Sequence, residues 1–233
     1  MFKRQLTTGD IFLIFINLVP LFGVWFLGWD AAQMFLVYCM ETIIAGLINI
    51  LKMLVVTIIK KKDVWQAQGS SVTIVSGYFF IFFFIIHYGF FVAIQLMLFL
   101  AVSGMISDGM NPFVIFPKAF QLLDSYTWKL LLGFAVIYTI KAFNDFILSG
   151  EYKTISLGRL MFSPYIRIVI QQFVVITGSL FLQFGAGKIF MLLFVSAKIF
   201  LEVFVNYDRL LQAGEKKAAL LEKMNRNKKE MHD

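Results

Sequence analysis

From Ala31 to Ile59 the chain is almost uninterruptedly apolar, a stretch longer than the roughly 20 residues that cross a bilayer. Inside it sit Glu41, Asn49 and Lys52. At 100° per residue, Asn49 lies about 80° and Lys52 about 20° round a helix from Glu41, so the three share one stripe. An ionised side chain within a membrane span costs at least about 2.5–3.5 kcal/mol, so that stripe must face protein or water. With 60% of its residues hydrophobic, 28 of them Phe, and only 15% charged, the chain carries more apolar surface than a soluble domain can hide. The pattern predicts an all-α, polytopic membrane helix bundle.

About six spans are expected: Asp10 to Gly28, Ala31 to Ile59, one within Val72 to Gly104, Tyr126 to Ser149, Pro164 to Phe184, and Lys188 to Tyr207. Thr8 or Asp10 is the expected cap of the first, and Pro20 its kink. Asp63 to Ser71 is expected as a polar connection. The long loop from Met105 to Tyr126 holds an apolar PFVIFPKAF segment, read as a short interfacial or re-entrant piece. Gly150 is expected to end span four, and Pro164 to open span five after a polar link from Glu151 to Ser163. Residues 1–208 form the transmembrane domain. Residues 209–233 form a basic tail, helical and then frayed.

The net charge of +7 raises the question of nucleic acid, and the placement of the basic residues answers against it. Lys3, Arg4, Lys60, Lys61, Lys62, Lys153, Arg159 and the basic tail fall on one side of a six-span arrangement; Lys118, Lys129 and Lys188 fall on the other. By the positive-inside rule both termini are cytoplasmic. The lone Cys39 lies in an apolar span, so it forms no intrachain disulfide and is expected as a buried, unreactive thiol.

Other spans repeat the polar-stripe pattern of the second. His87 and Gln95 lie in span three, about 80° apart. Lys141 and Asp145 are an i,i+4 pair flanking Asn144, and Arg167 and Gln171 are another. Lys198, Glu202, Asn206 and Arg209 fall on one face of span six. Each residue also has a purely structural reading, as an interhelical bridge or a snorkelling side chain. If the stripes converge, the candidate site comprises Glu41, Asn49, Lys52, His87, Lys141, Asn144, Asp145, Arg167, Gln171, Lys198 and Glu202. Its excess of donors suits a polar or anionic molecule. Templates for metal sites, serine nucleophiles, phosphate loops and dinucleotide loops are all missing, and His232 is the only other histidine. No metal and no cofactor is expected.

The motifs ETIIAGLINILKM, HYGFF in span three, PYIRI in span five and the Lys198 stripe together resemble the bacterial integral membrane proteins grouped as domain of unknown function 6498, over about Leu13 to Asp208. The resemblance carries Glu41, Asn49, Lys52, His87, Tyr88, Gly89, Pro164, Tyr165, Arg167, Lys198 and Glu202. It implies a histidine-lined intramembrane site in the family. This chain has Gln95, Gln171 and Asn206 at three of those histidine positions. Amides keep hydrogen bonding and lose metal affinity and titration.

The expected protein is therefore a bacterial inner-membrane protein that binds or transports a polar or anionic small molecule, with the question of enzyme activity left open. The alternatives are an accessory subunit whose stripes join helices, with the Pro112 to Pro117 loop as a contact surface, and an intramembrane enzyme using Glu41 and His87 as acid and base. Expected partners are the lipid bilayer, the small molecule, and a membrane-protein partner or homo-oligomer.

Overall fold

In the computed structural model, which describes residues 6–65, 73–105 and 112–204, one helix is packed on by most of the others. That helix, α2 (Ala31–Lys60), touches α1 (Thr8–Phe26), α3 (Gly77–Val102), α5 (Ser125–Ala142), α6 (Leu157–Gln183) and α7 (Gly187–Ile199). Every residue from Met34 to Thr42 is buried, which only a helix enclosed on all sides achieves. Further along, burial thins to Gly46, Asn49, Met53, Val56 and Thr57, one face at helical spacing. The chain is mostly helical. Among the described residues, four helices are long and apolar enough to cross a membrane: α1, α2, α3, and α5 with its continuation to Leu148.

The ends of these helices follow local chemistry. Thr7, rather than Thr8 or Asp10, caps α1. Its hydroxyl accepts from Asp10 N–H at 3.2 Å, and the Asp10 carboxylate accepts from Thr7 N–H at 3.0 Å, a complete capping box. Asp30 caps α2 and Asp124 caps α5, each carboxylate accepting from the backbone N–H three residues on. Gly150, with φ 74°, closes the helix that carries Lys141, as its sequence position predicts.

Two further expectations are corrected. The link after α2 is not simply polar coil: Lys62–Trp65 (β1) pairs antiparallel with Thr73–Ser76 (β2). The apolar piece singled out in the long loop is a short helix, α4 (Pro112–Gln121). Pro164 does not open span five, because α6 begins at Leu157. The earlier start has visible causes. Asp63, from the hairpin, accepts from Leu157 N–H at 2.7 Å, Ser156 Oγ accepts from Arg159 N–H, and Leu157, Leu160 and Met161 are buried.

Pro164 then sits inside α6, where its ring nitrogen cannot donate to the Leu160 carbonyl. Asn49 of α2 fills that vacancy, its Nδ2 donating to Leu160 O at 2.9 Å. A second close approach of α3 to α2 depends on Gly46. A Cβ there would lie 2.5 Å from the Tyr88 ring, and Tyr88 Oη donates to Thr42 O at 2.8 Å.

Two helices widen after a lysine. The helix begun as α5 continues as a π-helix over Phe143–Leu148, and that begun as α7 does so over Phe200–Phe204. A π turn holds more residues than an α turn, so a stripe counted at 100° per residue does not run straight through it. The expected face uniting Lys198 with Glu202 crosses such a segment. Asn206, Arg209 and the tail lie outside the described residues.

Candidate functional site

The polar residues of the central helices form two neighbouring groups, one sealed and one open. The sealed group is centred on Glu41, which is 0% exposed. Lys198 Nζ donates to Glu41 Oε1 at 3.0 Å and to Asn17 Oδ1 at 2.8 Å. Tyr138 Oη donates to the same carboxylate oxygen. The ammonium also lies 5.3 Å from the Tyr38 ring centroid and 5.4 Å from that of Phe134. Asn17 is held in turn: its Nδ2 donates to Leu13 O at 2.8 Å, and Tyr38 Oη donates to Asn17 O at 2.9 Å. Four helices, α1, α2, α5 and α7, thus meet at one buried ion pair. Such a pair is stable in a low-dielectric setting only with further hydrogen bonds, and here Tyr138 adds one to Glu41 Oε1 and Asn17 takes one from the ammonium.

The open group lines a cavity of about 250 Å³ between α1, α2, α5 and α6. Its polar lining consists of Asn49, Lys52, Tyr138, Lys141, Asp145 and Ser163; Leu13, Ala45, Ile48 and Pro164 are among the apolar walls. Lys141 bridges two carboxylates, with Nζ 2.6 Å from Asp10 Oδ1 and 3.3 Å from Asp145 Oδ2. Asp10 is fully buried, whereas the Asp145 side chain is 43% exposed. Lys52 Nζ lies 5.3 Å from the Phe146 ring centroid. Tyr138 belongs to both groups. It forms part of the cavity wall and donates to Glu41.

The structure therefore brings Glu41 to Lys198, and gathers Asn49, Lys52, Lys141 and Asp145 round one cavity. Asn144 is exposed and is not part of that lining. Arg167 and Gln171 lie on α6 and Glu202 in the π segment after α7, and their side chains lie outside what the structure describes. His87 joins neither group. It is exposed, its ring stacks on Phe83, and its Nδ1 shares a 2.8 Å hydrogen bond with Tyr165 Oη. Glu41 and His87 thus have different partners on different helices. Gln95 is fully buried, its Nε2 3.9 Å from Cys39 Sγ, so it faces α2 while His87 is exposed.

Sequence reasoning passed over Asp10 as anything but a cap, and missed Asn17 and Tyr138 as site residues. Their signal was present: Asp10, Leu13, Asn17, Pro20 and Val24 recur at three- and four-residue spacing, and all are buried. Thr127, Leu131, Phe134, Tyr138 and Lys141 recur at the same spacing on α5, the first three buried and the last two half-buried.

Compared with known proteins, the chain matches the family model described as "Family of unknown function (DUF6498)" over residues 1–230. It belongs to that family, as the motifs of α2, α3 and α6 predict. No curated protein and no solved structure matches it.

Proposed function

We propose that this member of a family of unknown function is a six-span membrane protein that takes up a polar or anionic small molecule in the cavity between α1, α2, α5 and α6. The single observation that carries the reading is the cavity itself, about 250 Å³, with Lys52, Lys141, Asp145, Tyr138 and Ser163 on its wall. A space of that size lined by charged groups is expensive to leave empty within a membrane, and a small polar guest satisfies it. In the reading with both termini cytoplasmic, the cavity lies towards the inner face, near the start of α1 and the cytoplasmic end of α2. A bacterial inner-membrane location accompanies that reading, and movement of the guest across the membrane is its natural extension.

The accessory-subunit reading draws on a different observation. The Glu41–Lys198 pair is closed by Asn17 and Tyr138, and neither Glu41 nor Lys198 lines the cavity. Such a cluster joins helices without needing a ligand. The acid–base reading loses its pairing, because His87 contacts Tyr165 rather than Glu41.

Native mass spectrometry of the detergent-purified protein, gently activated, tests the proposal. The expected result is a retained polar or anionic small molecule that is lost in Lys52→Met and in Asp145→Asn. A clean apo spectrum, or a guest kept equally by both variants, overturns it.

A further inference from the structure

His87 is an ionisable residue in the middle of an apolar helix, yet it is exposed. At 1.5 Å per residue it lies about 15 Å from Gly77 and about 22 Å from Val102, so it falls well inside any bilayer that α3 crosses. Intramembrane polar residues almost always face the bundle interior. The neighbours of His87 on the outer side, Phe82, Ile86 and Phe90, are 65%, 57% and 61% exposed, the profile of a lipid-facing surface.

The imidazole is nevertheless held firmly. Phe83 stacks on it, with centroids 5.1 Å apart and planes at 20°, and Phe91 meets it edge-on at 5.2 Å and 70°. Tyr165, from α6, approaches at 5.2 Å and shares the 2.8 Å hydrogen bond with Nδ1. Tyr165 is itself walled by Phe84, Tyr88, Phe91 and Phe162. With Nδ1 engaged, Nε2 sits on the opposite edge of the ring, and it has no hydrogen-bond partner among the described residues. In hydrocarbon no water satisfies it.

We propose that His87, oriented by Tyr165 and bracketed by Phe83 and Phe91, is the hydrogen-bonding anchor of a binding site for the headgroup of a lipid-soluble quinone. Three features select that class. The depth excludes phospholipid headgroups, which stay at the surface of a hydrocarbon core about 30 Å thick. The free ring nitrogen calls for a partner with a carbonyl or hydroxyl group that is itself at home in the core. The aromatic walls suit a flat ring, which packs against them offset or edge-on. Isoprenoid quinones and their quinols combine all three. This site is separate from the cavity round Lys52 and Lys141, and stands or falls independently of it.

The chain has two histidines, so selective ¹⁵N-histidine labelling gives two sets of ring signals, with His232 as an internal reference. The full-length protein in quinone-free lipid nanodiscs is titrated with decylubiquinone. The expected result is a saturable shift of the His87 ring signals with His232 unmoved. In parallel, a photoreactive azidoquinone is expected to label peptides containing Phe83–Phe91 or Tyr165. His87→Phe keeps a stacking ring and loses Nε2, and is expected to bind about ten-fold more weakly. Tyr165→Phe releases Nδ1, and a loss of a few-fold is expected. An unmoved His87 signal at saturating quinone, or equal labelling of His87→Phe, overturns the proposal. So does a His87 shift that appears without quinone as protein is crowded into each disc, which assigns the surface to a second copy of the chain.

Discussion

Lys198 and Lys141 each close an ion pair with a fully buried carboxylate, Glu41 and Asp10 respectively. Their surroundings differ. The Lys198 side chain is 5% exposed, and the donors and acceptors round it come from α1, α2 and α5. Lys141 is 22% exposed, shares itself with the solvent-accessible Asp145, and borders a cavity. The same chemical pair thus fixes the bundle in one place and leaves an exchangeable partner in the other. An ammonium already shared with a second, exposed carboxylate can turn to a guest; a pair sealed by Asn17 and Tyr138 cannot without opening the bundle.

The largest expected effect breaks the sealed pair. Lys198→Met strands Glu41 as a buried charge without its cation, a loss of about 3–5 kcal/mol. Chemical unfolding in detergent, followed by circular dichroism, measures it. Adding Glu41→Gln is expected to recover most of the loss, because an amide no longer needs the ammonium. If Lys198→Met unfolds like the wild type and loses only a bound guest, then the sealed group is the binding site and the contrast is inverted.

Lys141→Met is the matched experiment on the open side. Asp10 loses its cation but keeps the Thr7 N–H of the capping box, so a smaller cost of about 1–3 kcal/mol is expected. Equal losses in the two variants, measured in the same unfolding assay, would erase the distinction between the groups.

Asn49 marks the border between structure and site. It lines the cavity, yet its amide is committed to the Leu160 carbonyl that Pro164 leaves without a donor. Asn49→Ala is expected to cost about 1–3 kcal/mol, the penalty of an unmatched buried carbonyl. In a Pro164→Ala background the backbone supplies its own N–H to Leu160, and Asn49→Ala is expected to cost less than half as much. The same cost in both backgrounds would show that Asn49 acts through the cavity rather than through the carbonyl.

The contrast also explains how far the sequence could be read. Long apolar runs and Gly150 act locally, so the helices and the end of the one that carries Lys141 were legible. The family was legible from short motifs in order. Glu41 and Lys198 stood out because charge in an apolar run has few explanations. Whether they met each other or met Lys141 depends on how α1 and α5 pack, which no stripe on one helix reveals. Asn17 and Tyr138 are ordinary residue types whose importance comes from where α1 and α5 place them. The start of α6 was hidden because Asp63 acts on Leu157 from a distant hairpin, and Pro164 carried a familiar signal that a side chain from α2 had already neutralised. The Lys141–Asp145 pair was legible from its i,i+4 spacing and survives the start of the first π segment; the face joining Lys198 to Glu202 crosses the second, where the Glu202 side chain lies outside what the structure describes.

Lys52→Met carries the smallest expected effect on stability and the most discriminating one on function. Its ammonium lies over the Phe146 ring at 5.3 Å, a contact worth about 0.5–1 kcal/mol where water or lipid head groups compete. Methionine preserves most of the stem and its contacts, so loss of the Phe146 contact is expected to shift unfolding by no more than that amount. The cavity, by contrast, loses one of its two lysines while Lys141 stays paired to Asp10 and Asp145. Binding of the retained molecule, followed by native mass spectrometry across a concentration series, is expected to weaken at least about ten-fold. A protein that folds as before and binds as before would remove Lys52 from the site. A protein that unfolds readily would mean that this lysine, like Lys198, holds helices together, and that the open group is structural as well.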